Sequence, residues 1–213
     1  MKTRLVNHIL KTAFVVITLI VTSLTLPAAN PGEAETLISG MMARLRKAPS
    51  IEASFSVTAN GSTSQAAILM SGKKFTLRAP EVSVWFNGKD QYTYSPQTGE
   101  VNITSPTVEE LGEINPLAVI DNLSTRFKAV MAKPGTNGQK RVELTPLAKG
   151  DNIRKAIVTV GSSGYPSAIV LMMDNGQQLS VSIHQLKEGK KLAASTFEFR
   201  PALAPGAEVI DLR

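Results

Sequence analysis

The chain has 213 residues, of which 43% are apolar and 19% charged, a balance that excludes a disordered composition and allows a substantial core. It has no cysteine, which excludes disulfides, thiolate catalysis and cysteine-held metals. The formal net charge of +6 points to an anionic partner only until the N-terminus is set aside.

Lys2, Arg4 and Lys11 give a basic start, Ala13 to Leu26 holds only apolar residues, Thr and Ser, and Pro27-Ala28-Ala29 closes the run. This is the layout of a secretory signal peptide. The run is 14 residues long, short of the roughly 20 that a spanning helix needs. Residues 1–29 are therefore read as a signal peptide and 30–213 as one domain, exported to the periplasm and soluble after cleavage. Three of the 23 basic residues and none of the 17 acidic ones leave with the leader, so the mature chain carries +3. The remaining basic residues cluster at Arg44, Arg46 and Lys47, at Lys73 and Lys74, and at Lys187, Lys190 and Lys191. Such scatter reads as a helix end and hairpin tips in water, and it argues against nucleic-acid binding.

A first helix is expected from about Gly32 to Arg46, because Leu37, Ile38, Met41, Met42 and Leu45 recur at helical spacing and Pro49 stops them. The period then falls to two. Ile51, Ala53, Phe55 and Val57 alternate with polar residues, and Asn60-Gly61 turns the chain. Further strands are expected around Ala66–Met70, Lys74–Arg78, Val82–Phe86, Gln91–Tyr94 and Val101–Ile103, with Asn87-Gly88 as another turn. Asn115-Pro116 starts a second helix, with Leu117 and Ile120 on its apolar face. Strands resume at Val142–Leu144, Lys155–Val160, Ala168–Met173 and Leu179–Ile183. Glu188-Gly189 reads as a turn, and Phe197 and Phe199 as a further strand. Nothing resembles an alternating βα pattern.

The fold expected from this order is mainly β with a helical lid: a curved antiparallel sheet forming an unclosed half-barrel covered by short helices. The apolar set of each strand would then line a ligand cavity. Its candidates are Phe55, Val57, Ile68, Met70, Phe75, Leu77, Tyr92, Tyr94, Val181, Ile183, Phe197 and Phe199. Met41, Met42, Leu117 and Ile120 are the lid candidates. Each of these is also an ordinary core residue, so the reading rests on their joint geometry. Lys73, Lys74, Arg78 and Trp85 are candidate partner contacts.

The order of elements resembles the outer-membrane lipoprotein carrier proteins of the periplasm. The clearest stretch is EVSVWFNGKDQYTYSP, Glu81 to Pro96, in which Asn87, Gly88 and Lys89 match the family's turn and Tyr92 and Tyr94 its aromatic pair. Asn115-Pro116, VELTP at Val142–Pro146 and FEFRP at Phe197–Pro201 resemble later parts of the pattern. Ser71-Gly72-Lys73-Lys74 stands where the family often has an arginine-proline pair. The resemblance implies a monomeric carrier that shields the acyl chains of lipoproteins, or a similar lipid, and approaches membranes transiently. It would take its cargo from an inner-membrane release complex and pass it to an outer-membrane acceptor. The alternative is an envelope-stress sensor or adaptor of the same fold, which binds lipoprotein or protein partners without ferrying them.

No cofactor or metal is expected. His184 is the one histidine of the mature chain, and no HExxH, Walker, dinucleotide-binding or G-x-S-x-G pattern occurs. The chain is read as a non-enzyme. N-terminal sequencing of the exported protein is expected to begin at Ala29 or Asn30, and retention of Met1 would contradict the leader.

Overall fold

A computed structural model describes residues 32–107, 126–148 and 152–213. Helix α1 runs Glu33–Lys47, within one residue of expectation. Glu33 and Glu35 in its first turn and Arg44, Arg46 and Lys47 in its last complement the helix dipole. The expected helix after Asn115, with Leu117 and Ile120, lies outside the described residues.

The described strands are β1 (Ser50–Ala59), β2 (Ser62–Ser71), β3 (Lys74–Ala79), β4 (Val82–Phe86), β5 (Gln91–Ser95) and β6 (Glu100–Thr104), then β7 (Phe127–Met131), β8 (Lys140–Pro146), β9 (Ile153–Val160), β10 (Pro166–Met173), β11 (Gln178–Gly189) and β12 (Glu208–Asp211). Turn chemistry sets their sequence. Asn60 and Gly61 both have positive φ, 51° and 76°, the geometry whose twist matches a tight hairpin. At the β4–β5 turn the Asn87 side-chain oxygen accepts from the N–H groups of Lys89 and Asp90 at 2.9 and 2.8 Å.

All twelve form one sheet in the order β12-β6-β5-β4-β3-β2-β1-β11-β10-β9-β8-β7. Neighbours are antiparallel except β12, which runs parallel to β6. This corrects the expected half-barrel. The sheet is open and mixed rather than wholly antiparallel, its end strands β12 and β7 lie at opposite ends of the order, and it is not strongly curled. The physical reason lies in β4. Val82, Val84 and Phe86 alternate with Ser83 and Trp85, and Trp85 is as deeply buried as the valines. A half-barrel keeps one face wet, whereas this region needs cover on both.

Two local expectations also fail. Glu188-Gly189 is not a turn, because β11 continues and pairs Gly189 with Ser50. Phe197 closes a 3-10 turn, Ala194–Phe197, instead of opening a strand, and a second such turn follows at Pro201–Leu203. Proline suits the first position of a helical turn.

Helix α1 crosses the strands at one end of the sheet. Near its start Glu33 accepts a hydrogen bond from Lys140 on β8 at 3.2 Å. Near its finish Arg44 donates to Glu188 on β11 at 3.2 Å, and the chain then enters β1. Fifteen residues give about 22 Å of helix, against about 19 Å for the four strand spacings from β8 to β1. Ile38, Met41, Met42 and Leu45 are buried in one core cluster with Phe127, Val142, Leu144 and Val158. Each such side chain contributes about 1.5–3 kcal/mol on burial.

Urea unfolding of Phe86→Ala, which removes a side chain only 1% exposed, is expected to show a loss of about 3–5 kcal/mol. Val209→Ala, at a side chain 50% exposed, is expected to stay within about 0.5 kcal/mol of the parent.

Candidate functional site

Strand register places the apolar side chains of the helix-covered face in rows. Ile51, Met70, Phe75 and Phe86 stand opposite one another on β1, β2, β3 and β4. All four are buried, and the Phe75 and Phe86 rings lie 5.5 Å apart. This row is packed rather than hollow. One step along the strands Ala53 and Val84 are still buried, with Ile68 and Leu77 between them only partly so, and the burial loosens further beyond. Phe55 faces Ile183, Val57 faces Val181, and Ile68 faces Leu77. These six are half-buried, and partners directly opposite in a sheet sit about 5 Å apart. A register shift on β11 between the partners of Ser54 and Phe55 brings Ile183 opposite Phe55. The result is a half-buried apolar patch over four adjacent strands, β11, β1, β2 and β3, and it is the candidate site.

The remaining expected cavity residues are elsewhere. Trp85 pairs with Tyr92, Tyr92 with Ile103, and Tyr94 with Val101, which puts all five on the opposite face. The Phe199 ring stacks on Tyr92 at 5.5 Å and tilts against Trp85 at 5.4 Å. Phe197 and Ala204 are buried in the same C-terminal segment. So Tyr92, Tyr94, Phe197 and Phe199 build a second aromatic cluster and do not join Phe55, Val57, Ile68, Met70, Phe75, Leu77, Val181 and Ile183. Trp85 is covered within the chain. The signal for this was available: VSVWF is apolar at both parities.

Of the lid candidates, Met41 and Met42 are core residues of α1, and Leu117 and Ile120 fall outside the described residues. Lys73 and Lys74 flank the β2–β3 turn, whereas Arg78 lies opposite Ala67, most of a strand length away. A depression of about 470 Å³ is lined by Thr58, Asn60, Gly61, Asn175, Gly176, Gln177, Gln178 and Ser180. Its lining residues are polar or glycine, and it holds no large apolar side chain. Among the described residues no three His, Asp or Glu side chains gather to hold a metal ion. His184 shares a 3.0 Å hydrogen bond with Ser56.

Two charged clusters pin segments in place. Glu188 accepts from the Tyr165 hydroxyl and from Arg44, whose guanidinium also lies 4.4 Å above the Tyr165 ring. The Tyr165 bond, then Arg44, lowers the Glu188 pKa. Burial raises that of Tyr165. At the other cluster Arg213 binds Asp211 at 2.6 Å and the buried Asp90 at 3.1 Å, and Ser105 donates to Asp90 at 2.6 Å. Arg213 holds the Asp211 carboxyl down at about 2.

The family model described as outer membrane lipoprotein carrier protein LolA matches residues 32–177. The C-terminal segment over Trp85 lies beyond that match. No curated protein matches the sequence. Among solved structures, an uncharacterized conserved protein from Thermus thermophilus superposes with a TM-score of 0.57 at 10% identity, over 84% of this chain and 99% of that one. A putative outer membrane lipoprotein-sorting protein domain from Vibrio parahaemolyticus gives 0.46 at 11%, over 78% and 96%. The Pseudomonas aeruginosa MucA/MucB complex gives 0.44 at 15%, over 84% and 64%. The first likeness shows a shared fold; the other two are too distant to add weight.

Two outcomes follow from these placements. Phe55→Asp is expected to fold and to weaken binding of an apolar fluorescent probe, while Phe197→Asp, at a side chain 1% exposed, unfolds instead. Equal probe titrations for folded Phe55→Asp and the parent would contradict the patch. The Asp211 pairing stabilises the fold above its unfolded pKa, near 3.8, and that contribution fades as pH falls toward about 2. An NMR titration is expected to find Asp211 at about 2, with Arg213→Gln returning it toward the ordinary carboxylate range.

Proposed function

Because the chain belongs to the outer membrane lipoprotein carrier protein LolA family, we propose that it is an exported binding module of the cell envelope that engages a protein or lipoprotein partner without ferrying acyl chains. The family is one of non-enzymatic carriers, and this chain has no cysteine and no metal-holding cluster among its described residues. The Ala13–Leu26 run and the family's association with outer-membrane biogenesis support a periplasmic location. No described helix is long and apolar enough to cross a membrane.

One observation carries the choice of adaptor over carrier. The face on which a cargo cavity was expected is packed where α1 crosses it, with Met42 and Leu144 each 1% exposed. What it offers is the half-buried patch of Phe55, Val57, Ile68, Leu77, Val181 and Ile183. An acyl chain gains about 0.8 kcal/mol for each methylene it buries, so a carrier has to enclose most of its cargo's length. A shallow patch encloses little of a long chain. It suits the few apolar side chains that a partner presents at the centre of an interface, where binding energy concentrates.

The test is a photo-crosslinking side chain at position 55, used in the envelope of the source cell, with the adduct read by mass spectrometry. The expected adduct is a polypeptide whose yield falls when Ile183→Asp is introduced. An adduct of acyl-chain mass, insensitive to competing proteins, would restore the carrier.

A further inference from the structure

The basic groups that are separate in sequence meet in space. Glu188, Ile51, Met70, Phe75, Phe86 and Gln91 form one row across β11, β1, β2, β3, β4 and β5. The chain ends and turns beyond that row all emerge at the same end of the sheet. Lys187, Lys190 and Lys191 lie where β11 finishes, and Ser50 donates to the Lys190 carbonyl at 2.8 Å. The β2–β3 turn reaches the same place, because Ser71 donates to the Pro49 carbonyl at 2.7 Å. Lys74 in turn lies beside Gly88, within 3.5 Å of a side-chain position there, which brings in Lys89. Lys47 arrives on the last turn of α1.

Lys47, Lys89, Lys187, Lys190 and Lys191 are exposed and Lys74 half-buried. Among the described residues none of the six forms an ion pair. Of the carboxylates at this end, Glu188 is engaged by Arg44, and Asp90 and Asp211 by Arg213, while Glu52 stands opposite Lys187 in the register. The rim spans five strand spacings, about 24 Å. At the opposite end the β1–β2 and β10–β11 turns carry the neutral Asn60, Gly61, Asn175 and Gly176. The charge is therefore polarised along the strands.

We propose that this basic rim docks the protein on an anionic phospholipid headgroup surface. Lysines on flexible stems act as point charges and suit a broad field of lipid phosphates, whereas specific recognition of a protein's carboxylates favours the planar fork of arginine. A polybasic surface gains attraction near an anionic leaflet for each lysine it presents. The rim is separate from the patch around Phe55, so this docking stands or fails independently of the adaptor reading.

The test is flotation of the exported protein with vesicles of phosphatidylcholine, alone or mixed with phosphatidylglycerol. Partition is expected onto the mixed vesicles only, and it should fall as salt is raised. The combined variant Lys74→Gln, Lys89→Gln, Lys190→Gln, Lys191→Gln is expected to partition about 600-fold less, at roughly fivefold per lysine. The matched Lys→Arg variant should retain binding, and Arg78→Gln with Arg154→Gln, away from the rim, should stay within about twofold. Equal partition onto both vesicle types, no partition at low salt, or an equal loss in the Arg78 and Arg154 control overturns the proposal. So does binding to polyglutamate without binding to vesicles, which would assign the rim to an acidic protein.

Discussion

Alternation along a strand sends successive side chains to opposite faces, and in β4 both faces carry large apolar side chains, while β5 and β6 are apolar on the Trp85 face and carry Gln91, Thr93, Asn102 and Thr104 on the other. Val84 and Phe86 point to one side, and Trp85, with Tyr92, Val101 and Ile103 across the register, to the other. Water cannot be left on either. The sheet must therefore be covered twice in this region. Phe86 is buried with Ile51, Met70 and Phe75 in the core cluster that also holds the apolar face of α1, and the segment from Ala194 to Ala204 lies over the other face, with Phe199 against Trp85 and Tyr92. This constraint explains why the sheet stays open. It also explains why the chain returns as β12 after crossing, along the outer edge of β6 and parallel to it.

Cover on one face has a second effect. Helix α1 crosses the strands at one end of the sheet, so burial declines from the Ile51 row toward Phe55 and Val57. Apolar surface survives as a patch in mid-sheet, while the strand ends beneath the helix C-terminus collect lysines. Apolar contact and charge are thus held on different parts of the molecule. A protein partner and a lipid surface can be met without competing for the same residues.

Much of the fold was legible in the sequence. Helical spacing from Leu37 to Leu45 gave α1, and the Asn60-Gly61 and Asn87-Gly88 turns gave the first hairpins, because both signals are local. The shared face of Phe55, Val57, Ile68 and Leu77 followed from alternation. What failed was non-local. Tyr92 and Tyr94 alternate as cleanly as Phe55 and Val57, and alternation says which residues share a face but not which face it is. Only register across β3, β4 and β5 separates them. Phe197 and Phe199 are spaced like a strand, yet Pro201 and a ready aromatic surface favour a 3-10 turn laid across the sheet. The three basic groups gave no hint of convergence, since their meeting depends on Ser50, Ser71 and Gly88 lying at one end of the strands.

Trp85 is the only tryptophan in the chain, and it reports directly on the doubly covered sheet. Its emission and acrylamide quenching can be measured in the parent and in Phe199→Ala. The account requires a blue-shifted, poorly quenched tryptophan in the parent that becomes red-shifted and accessible once the Phe199 ring is removed. A readily quenched Trp85 in the folded parent, or one indifferent to Phe199, would mean that the C-terminal segment does not cover this face.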